Sequence, residues 1–330
     1  MDYRFLGPTG VKVSKLAFGT MTFGGYADEA TSEALYRRVR DVGINVFDCA
    51  DVYNGGFSEE LLGRFSQHER DRVVLTSKAY FPTSDDVNAR GNSRYHLVRA
   101  VEASLRRLQT EYIDLFFLHR WDDVTPADET LRAIDDLVRQ GKILYLGVSN
   151  FSAWQTMKLL GLGRASGGTP VVCSQPMYNL VKRQAEVEIL PMAIAEGIGV
   201  MSYSPLGGGL LTGKYGASKR PDSGRLVTDK MYTTRYGGDV YFEAADRFTA
   251  LAKELGHHPA ALAVAWVAAH PGITAPLIGA RNLEQLEAVL PAASIDLDEA
   301  TYDRIASIFP APPPATDRNE ETSKHNYGSR

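Results

Sequence analysis

Eight short apolar runs punctuate a chain of 330 residues, and almost everything else about the fold follows from their spacing. They lie at Leu16 to Phe18, Val46 to Asp48, Val73 to Ser77, Ile113 to Leu118, Leu144 to Ser149, Val171 to Ser174, Gly199 to Ser204 and Pro276 to Ile278. Each has the length of a strand buried on both faces. Helical patterns fill the intervals: Leu97, Val101, Leu105 and Leu108 share one face, as do Leu131, Ile134 and Val138, and again Val187, Leu190 and Ile194. Such alternation demands parallel strands joined by right-handed crossovers, and eight units in about 300 residues close into a barrel. The expected fold class is therefore α/β, a (β/α)8 TIM barrel. The opening YRFLGPTGVKVS, with its Pro8-Thr9-Gly10 turn, reads as an N-terminal β-hairpin that plugs the barrel floor. No repeat or linker breaks residues 1–309, expected to be one barrel domain. Residues 310–330 form a Pro-rich, then polar, C-terminal tail without core-forming side chains.

Composition removes several function classes. A hydrophobic content of 44% supports a large core, and a net charge of -4 with interspersed signs leaves no basic stripe for nucleic acid and no polybasic membrane signal. The expected partner is a small neutral or anionic molecule. Cys49 and Cys173 are the only cysteines; they lack the paired spacing of a zinc site and read as small core residues, and no metal is expected. The N-terminus has no long apolar segment, and no run approaches the roughly 18 apolar residues of a membrane span, so the expected location is the cytoplasm. One excursion, Gly207 to Gly238, is rich in Gly, Lys, Arg and Tyr, and loops this long are functional or mobile as a rule.

In a barrel of this kind, chemistry gathers where strands give way to βα loops. The second run ends at Asp48 with Tyr53 a loop turn later, the third ends at Lys78, and the fourth is followed by His119. Singly, each has a plainer reading: a snorkelling lysine, a packing tyrosine, a loop-bracing aspartate. Together on three successive strand ends they form a catalytic set. Lys78 beside Asp48 stays charged, and a cation beside a phenol is expected to lower the proton affinity of Tyr53 from its usual value near 10, making it a general acid. His119 is placed to hydrogen-bond a carbonyl oxygen and share its proton. His96, His257, His258, His270 and His325 fall in helical or loop contexts and are given structural roles.

The segments LAFGTMTFGG, FDCADVYNGGFSEELLG, VVLTSKAY, LFFLHR, ILYLGVSNF, CSQPMYNL, MSYSPLGGGLLTGKY and LIGARNLEQL resemble the aldo-keto reductase family, from the hairpin to about residue 308. The resemblance implies NADPH-dependent reduction of an aldehyde or ketone, with Asp48, Tyr53, Lys78 and His119 as the family tetrad. It also implies that Ser149, Asn150 and Gln175 hydrogen-bond the nicotinamide carboxamide and that Tyr203 stacks on its ring. Gly19, Thr20 and Met21 fit the segment beneath the nicotinamide ribose, with a tight turn as the plainer reading. In SPLGGGLLTGK, the stretch Ser204, Pro205, Leu206, Gly207 and Gly209 lets backbone amides approach a pyrophosphate, and Lys214 adds charge. Gly279, Ala280 and Arg281 open the last helix, a barrel's usual phosphate position, where Arg281 is the first candidate for the 2'-phosphate and Arg225 the next. Gln285 belongs to the same segment. Relatives commonly carry a Glu-Asn pair shortly after it, where this chain has Ala288 and Val289.

For the substrate, Phe23, Tyr26, Tyr80, Phe81 and Trp121 follow strand ends and are expected to wall a pocket or to pack the loops. Chain length and the long excursion resemble the sugar-ketone and broad aldehyde branches of the family. Two rival functions stand beside carbonyl reduction: an NADPH-binding sensing or docking module resembling ion-channel β-subunits, with little turnover, and a barrel aldolase using Lys78 as a Schiff-base nucleophile.

Overall fold

The computed structural model describes residues 1–318 and 320. Most of the polar end of the tail, with His325, lies outside the described residues.

The chain opens with an antiparallel hairpin, β1 (Tyr3–Phe5) and β2 (Lys12–Ser14), in which Tyr3 faces Ser14. Then come β3 (Ala17–Gly19), α1 (Glu29–Asp41), β4 (Val46–Asp48), α2 (Phe57–Ser66), β5 (Val74–Ala79), α3 (Arg94–Leu108), β6 (Ile113–Leu118) and α4 (Ala127–Arg139). The second half carries β7 (Ile143–Ser149), α5 (Ala153–Ser166), β8 (Val171–Gln175), α6 (Ile189–Glu196) and β9 (Gly199–Val200). After the excursion helices α7 (Arg225–Thr228) and α8 (Lys230–Tyr236) follow α9 (Asp239–Glu254), α10 (Pro259–Ala269), β10 (Leu277–Ile278), α11 (Leu283–Glu287) and α12 (Glu299–Ala306).

Eight parallel strands make one sheet in the order β10-β3-β4-β5-β6-β7-β8-β9, so all eight apolar runs are strands and the fold is the (β/α)8 barrel. The seam between β9 and β10 has no ladder. It is closed by backbone hydrogen bonds, Thr274 and Ala275 to Val200 O (2.8 and 3.1 Å) and Leu277 to Ser202 O (2.8 Å). Several boundaries moved, most by a residue or two, and two of the shifts bear on the site. Lys78 lies one residue inside β5, which runs on to Ala79. The seventh run ends its ladder at Val200, because beyond it the backbone bonds irregular segments, as Tyr203 N does Pro176 O at 2.9 Å.

The period-two alternation of strands sorts the side chains. Val46, Val74, Leu115, Phe117, Val172 and Met201 point into the barrel and form one cluster with Leu6 and Val13 of the hairpin. Gly7 shows how closely the hairpin seats: a Cβ there would lie 2.5 Å from Val172 O. The hairpin is thus the floor plug. The other parity, with Phe47, Leu75, Phe116 and Leu146, packs outward against the helices. Here the predicted face of α6 fails: Leu190 is buried, but Val187 precedes the helix and Ile194 is 55% exposed. Glu188, at φ -140, breaks the helical phase between them. Among the described residues, no helix is long and apolar enough to cross a membrane. Cys49 and Cys173 are free and buried.

Candidate active site

The inward parity that builds the core also delivers the site. Following Val46 inward by two residues reaches Asp48, following Val74 by four reaches Lys78, and following Phe117 by two reaches His119. Register holds them level, since Asp48 pairs with Thr76 and Lys78 with Phe117. Tyr53 comes from the loop after β4, which turns back through Asn54 and two glycines, all at positive φ. Asn54 pins that turn by donating from Nδ2 to Phe23 O (2.6 Å) and Met21 O (3.1 Å).

At the bottom of the mouth Lys78 is wholly buried, and its ammonium donates to Asp48 Oδ2 (2.5 Å), Cys49 O (2.6 Å) and Tyr53 Oη (3.4 Å). The other oxygen of Asp48 accepts from Thr76 Oγ1 (2.9 Å) and Gln175 Nε2 (2.8 Å). Burial pulls the Lys78 ammonium down, but Asp48 and Tyr53 together outweigh it and hold it above its ordinary value. The expectation for Tyr53 is corrected: burial pushes its phenol up to about 12, and the pull of Lys78 in the other direction is smaller. The phenol is therefore protonated at neutral pH. His119 is pushed down to about 3, first by burial and then by Lys78, so it is a neutral imidazole and a hydrogen-bonding group rather than a proton source. Its Nδ1 is buried with no partner among the described residues, and its ring stands edge-on to Tyr53 and Phe81.

Above these groups opens a cavity of about 830 Å³. Tyr53, Asp48 and His119 line its deep end, while Lys78 lies below the lining. One side carries Ser149, Asn150, Gln175 and Tyr203. They are tied together: Tyr203 Oη donates to Asn150 Oδ1 (2.7 Å), Asn150 Nδ2 to His119 O (3.0 Å), and Ser149 Oγ to Gln175 O (3.1 Å). Asn150 and Ser204 both sit at positive φ without being glycine, backbone strain of the kind that collects at functional sites. Along the far reach lie Gly19, Met21, Ser204, Pro205, Leu206 and Gly209, then Lys214, Gly279, Ala280, Arg281 and Gln285. Thr20 and Gly207 stay out of the lining; Thr20 is buried and donates from Oγ1 to Asp48 O (3.1 Å). Ala288 and Val289 line the same end and give it an apolar wall.

Of the five aromatic candidates only Phe81 lines this cavity. Phe23 is fully buried against Phe18 and Phe65. Tyr26 is exposed with the Arg281 guanidinium 4.0 Å over its ring, Tyr80 stands edge-on to Phe81, and Trp121 packs against Phe151 and Trp154. The reading of the histidines as structural fits His258, which caps α10 through Nδ1 to Ala260 N (3.1 Å), although it also lines the cavity.

Sequence reasoning missed Arg120, Met231, Tyr232 and Arg235, which line the cavity as well. The last three come from the long excursion, folded into α7 and α8 around Leu210, Tyr215, Tyr232 and Tyr236. Its Arg and Tyr content was the available signal. Also unforeseen is a buried group behind Lys78. Asp51 donates its amide to Lys78 O (3.1 Å), yet neither of its carboxyl oxygens has a partner among the described residues. Burial and then Glu59 push it up to about 8. Glu59 itself accepts from Ser77 Oγ (2.5 Å) and Arg107 Nε (2.7 Å). Among the described residues no three His, Cys, Asp or Glu side chains gather as a metal site.

Comparison with known proteins gives the same direction as this geometry. A Bacillus subtilis (strain 168) protein described as the uncharacterized oxidoreductase YrpG is 39% identical over 94% of this chain and 97% of its own length. Probable voltage-gated potassium channel β-subunits of Arabidopsis thaliana and of Oryza sativa subsp. japonica are 33% and 32% identical, over 95% and 96% of this chain and 98% and 99% of their own. The Aldo/keto reductase family model matches residues 15–309, the whole barrel from β3 onward, and the chain belongs to that family.

Proposed function

We propose that this chain is an oxidoreductase that reduces an aldehyde or ketone to the alcohol with NADPH, Tyr53 acting as general acid. The observation that carries the reading is a protonated phenol in the cavity lining, within reach of the ammonium of a buried Lys78–Asp48 pair. Asp48 keeps Lys78 charged and in place. The ammonium donates to Tyr53 Oη, and so stabilises the phenolate that remains once the proton has moved to the substrate oxygen. His119, neutral, orients that oxygen by hydrogen bonding, and the ring of Phe81 packs edge-on beside it.

The cavity lining supports a dinucleotide as the cofactor. Lys214, Arg225 and Arg281 line one reach of it, and Lys214 is held below its ordinary value by burial, then by Arg281 and Arg225, a crowding of cations that bound phosphates relieve. Ser149, Asn150 and Gln175 would hold the carboxamide, Tyr203 would stack on the ring, and Arg281 would take the 2'-phosphate. When bound, NADPH supplies the hydride that reaches the carbonyl carbon.

Tyr53→Phe keeps the ring and removes the proton. It should lower kcat by about 100-fold or more while NADPH still binds, followed by NADPH oxidation over a carbonyl panel. Near-normal turnover would sink the mechanism. An aldolase reading is disfavoured, since Lys78 is charged and outside the cavity lining. The likeness to probable channel β-subunits favours a second reading, a cofactor-holding module with little turnover. NADPH binding without oxidation by any carbonyl would select it.

A further inference from the structure

Five cationic side chains line the cavity: Arg120, Lys214, Arg225, Arg235 and Arg281. None of them forms an ion pair with a described residue, in a chain whose other Lys and Arg residues form many. The lining acids do not offset them, for Asp48 is engaged by Lys78 and only Glu284 remains. With an overall net charge of -4, this concentration is not a reflection of composition. It marks a cavity built for negative charge.

The five divide by neighbourhood. Lys214 is electrostatically coupled to Arg281 and Arg225, and these three face the phosphates of the proposed cofactor. Arg120 and Arg235 belong to the other end. Arg120 directly follows His119, whose carbonyl accepts from Asn150 Nδ2; Asn150 accepts from Tyr203, and Arg235 lies close enough to Tyr203 to favour its phenolate. Arg120, next in sequence to His119, and Arg235, near Tyr203, thus flank one hydrogen-bonded arc that includes a reacting group, and both line the cavity. Neither forms an ion pair with a described residue. Asp122, near Arg120, spends its carboxylate on Asn92 N (2.8 Å), Val124 N (2.9 Å) and Thr125 Oγ1 (2.7 Å). Arg235 has aromatic neighbours, Tyr203, Tyr236 and the ring of Tyr232 at 5.6 Å, and no carboxylate partner among the described residues.

We infer that the natural substrate is an anionic carbonyl compound, an aldehyde or ketone carrying a carboxylate or phosphate that Arg120 and Arg235 receive while its carbonyl meets Tyr53 and His119. The inference rests on the carbonyl-reduction reading and supplies its substrate class. An arginine fork binds either anion through paired N–H groups, and a site built for such a group discriminates against an analogue that lacks it.

The test uses three aldehydes of one shape: 4-formylbenzoate, 4-formylphenyl phosphate and neutral methyl 4-formylbenzoate, reduced with NADPH by the wild type, Arg120→Gln and Arg235→Gln. The readout is the ratio of kcat/KM for each anion to that for the ester. We expect the wild type to favour an anion and each variant to lower the ratio by about tenfold or more, the scale of a lost charge-assisted contact. A fall in the carboxylate arm alone, or in the phosphate arm alone, names the group. Ratios unchanged in both variants overturn the inference. If the wild type turns over none of the three, the carbonyl-reduction reading fails instead, and titration of the NADPH complex with terephthalate and with phenyl phosphate decides the anion site: binding weakened about tenfold in the variants upholds it, and no binding of either by the wild type refutes it.

Discussion

Lys78→Met isolates the energetics of the buried pair. Methionine nearly matches the aliphatic stem, so the change removes three donated hydrogen bonds and one charge from a side chain that is fully enclosed. What remains is an Asp48 carboxylate, 3% exposed as a residue, with Thr76 and Gln175 still on Oδ1 and nothing on Oδ2. Breaking a buried ion pair from one side costs about 3–5 kcal/mol, because the surviving charge is left uncompensated. Asp48→Asn should cost a similar amount by orphaning the ammonium. The double variant removes both charges and keeps an oxygen for Thr76 and Gln175, so its cost should fall well short of the sum, with a coupling of about 2–3 kcal/mol or more. Equilibrium urea unfolding of the four proteins, followed by far-ultraviolet circular dichroism at neutral pH, measures this cycle. A double variant that loses the full sum of the singles, or a Lys78→Met loss below about 1 kcal/mol, would refute the view that the pair is a compensated buried charge.

Three further outcomes are expected. Asp51 binds a proton in the fold up to about pH 8 but in the unfolded chain only below the usual carboxylate range near 4, so the stability it contributes is lost as pH rises from about 4 through 8. Asp51→Asn should therefore raise the melting temperature relative to wild type by more at pH 8 than at pH 5, and the reverse trend would count against the buried, unpartnered carboxyl. Gly147→Ala places a Cβ 2.4 Å from the ring of Phe117 inside the barrel and should cost about 1–3 kcal/mol of overpacking in urea melts. Arg281→Ala should weaken NADPH about tenfold or more and NADH little, read by tryptophan-fluorescence titration at fixed salt; equal losses would move the 2'-phosphate to another cation, Arg225 first.

How much of this was legible in advance depended on range. Strand cores and the set Asp48, Lys78 and His119 could be read because inside-outside parity is local, and an inward polar residue just past apolar inward residues betrays itself. The phase of α6 was not legible, since the turn at Gln184–Glu186 and the non-helical Glu188 reset the helix between Val187 and Leu190. Nor was the direction of Phe23: an aromatic after a strand end says nothing of its ring, which a backbone turn (Phe23 N to Thr20 O, 2.9 Å) swings into the core. Arg235 and Tyr232 reach the cavity only through the packing of α8, a long-range fact. The proton affinity of Tyr53 was misjudged for the same reason, because the neighbouring cation is written in the sequence and the depth of burial is not.

The unladdered seam gives the barrel a joint. Seven of its strand-to-strand borders are parallel ladders, one of them, β7 with β8, shifted in register between Leu146 and Gly147, and the eighth is a few hydrogen bonds from Thr274, Ala275 and Leu277 to the opposite lip. Tyr203 and Ser204 rise from one lip and Gly279 and Ala280 from the other, all in the cavity lining. Any molecule filling the mouth therefore touches both lips of the one border that hydrogen bonds close without a ladder, so binding there should add to the closure of the ring.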